Sequence, residues 1–260
     1  MELNKETLLA LSQFKDYLFF EEPHEYYYND KKVKTSVTKF VGTFFEEFDK
    51  EKISLAFANK NGVPQQQVLD DWQNNSDIAS IVGTIVHKYA EDRQIGRVVP
   101  FDFSIAKEKN ILEKVKERVL KLCAMYDIFA KDTHGRLIPI KTEFTVGIQD
   151  YIAGNIDLLV WNEKSQKLEI WDYKTSKQIR SKSDYKKFGF AEMEKYDDCE
   201  LAHYSLQLNI YKEILKRFGI PIGDCYLVWL NEENSKYKVI PCWDLQAEAR
   251  SALDKLCECK

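Results

Sequence analysis

The stretch from Ile156 to Thr175 constrains this chain more than any other. It reads Ile156-Asp157-Leu158-Leu159-Val160-Trp161, a polar turn over Asn162 to Lys167, then Leu168-Glu169-Ile170-Trp171-Asp172-Tyr173-Lys174-Thr175. Short apolar runs bounded by turn residues predict two strands buried in a sheet. Alternation puts Ile170, Asp172 and Lys174 on one face of the second strand, with Asp172 and Lys174 about 6–7 Å apart along the chain. Pairing across the turn brings Asp157 beside them. A divalent cation would offset the repulsion between the two carboxylates, and oxygen ligands suit Mg²⁺ or Mn²⁺. The plainer reading is an exposed Asp172–Lys174 ion pair, worth only ~0–1 kcal/mol.

Around this unit the periodicity changes along the chain. Glu143 to Ile148 and Tyr151 to Trp161 read as strands separated by Gln149-Asp150, and residues 200–218 return to helical spacing before Gly219-Ile220-Pro221. Tyr226 to Leu230 and Tyr237 to Ile240 predict a hairpin, followed by a C-terminal helix. The first half is mainly helical. A helix is predicted over residues 3–20 on the spacing of Leu3, Leu8, Leu11, Tyr17 and Leu18. A short hairpin follows, from Tyr26-Tyr27-Tyr28 through Asn29-Asp30-Lys31-Lys32 to Val33–Val37. Ser36 or Thr38 can cap the next helix. Residues 45–75 read as helix broken near Asn61-Gly62-Val63-Pro64. A further helix runs from Ser76 or Asp77 to about Arg93, and another stretch covers 104–130. Strands enclosed by helices predict an α/β or α+β domain with one central sheet. The expected division is a helical region with a short hairpin over 1–75, packed on a core over 76–260.

With 44% hydrophobic and 31% charged residues among 260, the chain can build a large core under a solvated surface. Its formal net charge of −4 excludes a protein basic over its whole surface, but leaves room for a local basic groove. No apolar run reaches the ~18 residues of a membrane-spanning helix. The opening residues are polar, unlike a signal peptide. An intracellular, soluble protein is expected, in the cytoplasm of a bacterial host if phage-encoded. Cys123, Cys199, Cys225, Cys242, Cys257 and Cys259 form no Cys-x-x-Cys pair, so reduced structural thiols are expected rather than a zinc or iron–sulfur framework.

Two helical motifs add chemistry. In Gly83-Thr84-Ile85-Val86-His87 the glycine lies one turn before the histidine. It lets the helix approach the sheet and bring an imidazole nitrogen to its edge; the alternative is a structural histidine. In the 200–218 helix, His203, Gln207 and Tyr211 share a face at i, i+4 spacing. They either contact nucleic acid or form a half-buried polar stripe.

Taken in order, Gly83/His87, Gly154/Asp157, Asp172/Lys174 and Gln207/Tyr211 resemble the RecB-like branch of the PD-(D/E)XK nucleases, over about residues 80–215. The resemblance implies a restriction-endonuclease-like central mixed β-sheet flanked by helices, with a mainly helical N-terminal part. It implies Mg²⁺ or Mn²⁺ held by His87, Asp157, Asp172 and the main-chain carbonyl of Tyr173, with Asp157, Asp172 and Lys174 catalytic. Lys174 would orient or help deprotonate the attacking water. Glu143 is a candidate outer carboxylate, or else pairs with Lys141 or Lys174. Iron–sulfur relatives carry one early and three grouped late cysteines, a pattern absent here, so no cluster is expected. The cysteine-free exonucleases of phages and of mitochondrial genome maintenance are the nearer comparison. They imply action on DNA ends or single strands, in recombination and repair. A restriction-type, sequence-specific endonuclease and a non-catalytic nucleic-acid-binding module are the alternatives.

Residues 177–187 follow directly and hold five basic residues against one acidic. Lys177, Arg180 and Lys182 are candidate phosphate contacts, the alternative being an ordinary solvated loop. Gln207 and Tyr211 complete the candidate substrate-binding set. Tyr185, Phe188 and Phe190 either stack on unpaired bases or belong to the core.

Overall fold

In a computed structural model, residues 4–258 are described; Leu3 and Cys259, used above, lie outside them. The helices are α1 (Lys5–Ser12), α2 (Val37–Gly42), α3 (Lys50–Asn61), α4 (Gln65–Gln94), α5 (Ser104–Glu108), α6 (Leu112–Thr133), α7 (Glu200–Arg217) and α8 (Gln246–Glu258). The strands are β1 (Tyr17–Phe20), β2 (Glu25–Tyr28), β3 (Lys31–Lys32), β4 (Thr35–Ser36), β5 (Leu137–Ile148), β6 (Ile152–Asn162), β7 (Lys167–Lys174), β8 (Ile222–Trp229) and β9 (Lys238–Pro241).

Strands β4-β6-β7-β8-β9 form the central sheet in that order, with β5 also paired to β6. It is mixed: β4–β6 and β7–β8 are parallel, while β5–β6, β6–β7 and β8–β9 are antiparallel. Side-chain alternation sends the sheet into two cores. Leu159 and Ile170 face α7 and α8, whereas Leu158, Val160, Trp171 and Tyr173 face α4 and α6. The fold is the expected restriction-endonuclease-like one, a central mixed sheet flanked by helices.

Local chemistry sets the ends of the elements. The Ser36 hydroxyl accepts from Lys39 N (3.2 Å) and caps α2, and the Asp49 carboxylate accepts from Lys52 N (2.9 Å) to open α3. Gly62 closes α3 in the left-handed region, at φ 66°, and Pro64 then precedes α4.

Five expectations change. The hairpin partner of β2 is Lys31–Lys32, expected in the turn, while Thr35–Ser36 joins the central sheet beside β6. The first helix stops at Ser12, and Tyr17–Phe20 instead pairs with β2, placing Phe19 against Tyr26 with ring centroids 4.7 Å apart. An aromatic-rich run opposite a tyrosine run is stabilised better as a cross-strand ladder than as a helix turn. Helix α4 starts at Gln65, not near Ser76, because its glutamines are good helix formers directly after a proline. It therefore passes unbroken through positions 75 and 76. The 104–130 stretch divides at Asn110, which sits at φ 57° between α5 and α6. Strand β5 begins at Leu137, ahead of Glu143.

The N-terminal residues share the sheet's core. Leu11, Phe14, Val37 and Phe44 are buried in one cluster with Val146, Ile152 and Leu206. Among the described residues no helix is long and apolar enough to cross a membrane.

Candidate active site

The sheet forks where the charged residues lie. Pairing of β6 with β7 runs from Asn162↔Lys167 to Leu158↔Trp171 and stops there. Beyond it, β7 continues against β8, with Asp172 opposite Leu227, while the far end of β6 pairs with β4 at Ile152 and Ala153. Asp157 and Asp172 thus flank a gap between diverging strands. Tyr173 N crosses the gap and donates to Asp157 Oδ2 (2.8 Å) instead of continuing the ladder.

Three elements converge on Asp157. From α4, His87 Nδ1 lies 3.3 Å from Asp157 Oδ2. From β5, Glu143 sits in the register slot facing Asp157, between Thr142↔Leu158 and Phe144↔Ile156. Glu143 has φ 44°, a left-handed conformation that costs a non-glycine residue on the order of 1–3 kcal/mol. Ligand atoms of His87, Glu143 and Asp157 all lie within 4.8 Å of one another. Asp172 is outside that trio; its Oδ2 is 2.6 Å from Lys174 Nζ. That oxygen is buried without a well-aligned hydrogen bond.

The electrostatics follow from crowding charge out of water. Burial, then the Asp157 carboxylate, pushes Glu143 up to about 7. Burial lifts Asp172 to about 6 against the pull of Lys174, and Asp157 adds to the rise. Burial opposes the charge on His87, yet Asp157 raises the imidazole to about 9. Burial opposes the charge on Asp157 too, but His87, Lys174 and the Tyr173 amide hold its carboxylate below the usual range. Lys174 is half-buried, and against that desolvation Asp172 and Asp157 keep its ammonium charged. Opposed carboxylates and a strained backbone beside an imidazole are the features a hard divalent cation would relieve, so the residues fit such an ion.

Among the described residues Glu143 makes no ion pair with Lys141 or Lys174; Lys141 instead lies 5.9 Å from the Phe144 ring. Gly83 is less demanding than its motif suggested. A Cβ there would meet Thr175 Oγ1 at 3.5 Å, an ordinary contact. Gly154 is the sterically critical glycine, since a Cβ would sit 2.8 Å from the Tyr211 hydroxyl and 3.1 Å from Val37 Cβ.

Tyr211 is 2% exposed, and its hydroxyl accepts from Gln207 Nε2 at 3.3 Å. His203 is held by Asp198 (2.7 Å) and stacks on Phe45, ring centroids 3.7 Å apart. Sequence reasoning passed over Tyr204, whose ring lies 4.6 Å from Lys174 Nζ. It sits three residues before Gln207, a spacing that could have placed it on the same face.

In the basic loop, Lys177 and Lys182 are exposed. Arg180 is already bonded to Glu200, through Nε at 3.0 Å and Nη2 at 2.5 Å, and also to Asp184. Cys123, Cys199 and Cys225 are buried free thiols.

The forked mixed sheet thus gathers a histidine, three carboxylates and a lysine at one place. The profile of the PD-(D/E)XK nuclease superfamily matches residues 62–254, and the chain belongs to that superfamily. No curated protein matches it significantly. Among solved structures, a protein from Eubacterium rectale described as "Putative exonuclease" is 13% identical, covering 98% of this chain and 83% of its own, with a TM-score of 0.43. Another, SSO0001, is also 13% identical, over 69% of this chain and 86% of its own, with a TM-score of 0.29. Both likenesses are distant.

Proposed function

We propose that the protein is a Mg²⁺- or Mn²⁺-dependent deoxyribonuclease of RecB-like type that hydrolyses phosphodiester bonds as an exonuclease, on DNA ends or single strands. The single observation that carries this reading is the convergence of His87, Glu143 and Asp157 beside the Asp172–Lys174 pair in the sheet fork. In this reading His87, Asp157, Asp172 and the Tyr173 carbonyl hold the ion, and Glu143 joins them directly rather than from outside. A bound divalent ion supplies a lowered water pKa and a polarised phosphate. The chain's own residues do the rest. Lys174, charged and fixed by Asp172, positions the nucleophilic water and offsets charge on the scissile phosphate. The Asp157–Tyr173 hydrogen bond keeps the two strands at a fixed spacing, so both carboxylates stay aimed into the gap. Tyr211, held by Gln207, packs against Gly154 three residues before Asp157. Lys177 and Lys182 take phosphates of the strand; Arg180, neutralised by Glu200 and Asp184, mainly ties down the loop.

The test is to incubate the protein with linear single strands, linear duplex and covalently closed circles, each with Mg²⁺, Mn²⁺ or chelator. Short products from linear DNA only, and only with metal, are expected. Cut circles would overturn the end requirement, and intact DNA under every condition would overturn the nuclease reading.

A further inference from the structure

Beyond the centre itself, the loop that begins directly after Lys174 forms an aromatic and basic ridge. The loop after β7 carries three aromatic side chains that are not core: Tyr185 is 81% exposed, Phe188 53% and Phe190 51%. Exposing three large rings in one short segment is costly unless something stacks on them. A fourth, Phe48, is 61% exposed and lies 5.7 Å from the Trp72 ring. The chain joins these two segments across more than a hundred residues. Phe190 N donates to Phe44 O (2.7 Å), and Lys187 pairs with Glu46 at 2.5 Å.

The first part of the loop, directly after Lys174, is tied down on two sides. The carbonyls of Ser176 and Lys177, directly after Lys174, accept from Asn231 Nδ2 at 3.3 and 2.8 Å. Further on, Leu201 N donates to Arg180 O (3.1 Å) and Arg180 binds Glu200, at the start of the helix whose Tyr204 faces Lys174. Lys177, Lys182 and Lys186 on this loop have no carboxylate within 4.0 Å among the described residues, in a chain whose net charge is −4.

We infer that this ridge binds single-stranded DNA, with unpaired bases stacking on Tyr185, Phe188 and Phe190 and the backbone phosphates on Lys177, Lys182 and Lys186. Base faces are available for such stacking only when the strand is unpaired, and every base offers one, so the site selects strand form rather than sequence. A duplex presents its phosphates to the lysines but hides its base faces. The inference rests on the nuclease reading for its role, and names the form of substrate the enzyme takes.

The test uses the full chain in chelator, with fluorescein-labelled oligothymidylate and a blunt duplex as probes in anisotropy titrations. The double variant Tyr185→Ala/Phe188→Ala is expected to lose on the order of tenfold or more in affinity for oligothymidylate, while duplex affinity changes less than about twofold. Tyr185→Phe, which keeps the ring, should bind as the wild type does. Replacing Lys177, Lys182 and Lys186 by Gln should flatten the salt dependence by about 0.7 per lysine in log–log slope. Undiminished oligothymidylate binding by the alanine variant, or equal loss on both probes, overturns the inference. Wild-type hydrolysis with Mn²⁺ separates the two claims. Degradation of DNA alongside unchanged alanine-variant binding refutes the ridge alone. Ridge-dependent binding without hydrolysis of any DNA refutes the nuclease reading alone.

Discussion

Glu143 faces Asp157 across two hydrogen-bonded strands, carboxylate to carboxylate, and holds a left-handed backbone to do so. Like charges placed directly opposite on a sheet destabilise it, so this pair is an electrostatic fault in the metal-free protein that a bound cation would turn into an asset.

Replacing Glu143 by Gln should therefore stabilise the metal-free protein while weakening its response to metal. In chelator at pH 8, relief of about 1 kcal/mol would raise Tm by about 2–4 °C. The sign with pH follows from its raised value of about 7 in the folded protein. Glu143 favours the folded state at low pH, and that contribution disappears as pH rises through about 7. The gain from Glu143→Gln should accordingly be present at pH 8 and absent near pH 5. Melting curves at the two pH values check it.

Metal binding should show in the folded state before any turnover is measured. Mn²⁺ at a hundred times its Kd stabilises a single-site protein by about 2.7 kcal/mol. Asp157→Asn, which removes the carboxylate between His87 and the Tyr173 amide, should abolish most of that shift. An unchanged Mn²⁺-induced rise in Tm for this variant would place the ion elsewhere.

Lys174→Ala should remove hydrolysis while sparing binding. Losing a charged group that acts on the developing phosphate charge costs about 10²–10³-fold in rate. Affinity for oligonucleotide, set mainly by other phosphate contacts, should stay within a few-fold. Single-turnover cleavage of an end-labelled strand, with anisotropy for binding, measures both; cleavage at the wild-type rate would misplace the centre.

The two motif glycines should behave differently. Gly154→Ala drives a methyl into the Tyr211 hydroxyl, and overpacking of this kind costs about 1–3 kcal/mol. Gly83→Ala has room beside Thr175 and gains up to ~1 kcal/mol of helix propensity. Urea denaturation of the two variants should give midpoints on opposite sides of the wild type.

Much of this arrangement was legible in residue order. The β6–β7 unit and α7 were readable because their periodicity is strong and their ends carry turn or cap chemistry. Asp157, Asp172 and Lys174 were readable because they interrupt apolar runs. Other features depend on contacts distant in the chain. Tyr17–Phe20 fits a helical pattern until the Glu25–Tyr28 run, with Tyr26 opposite Phe19, offers it a partner strand. The place of Glu143 beside the metal-ligand candidates depends on one backbone angle in β5, which no local propensity encodes. The neutralisation of Arg180 depends on Glu200, twenty residues away. Charge counting along the loop could not see it.

Helix α4 is one uninterrupted rod of 30 residues, about 45 Å long, with Trp72 in its outer half and His87 in its inner half. Ring and imidazole are thus parts of a single stiff lever, with no proline between them to bend it. Phe48 and Phe57 already rest on Trp72, so the same rod that carries the imidazole into the fork is clasped by aromatic rings at its far end.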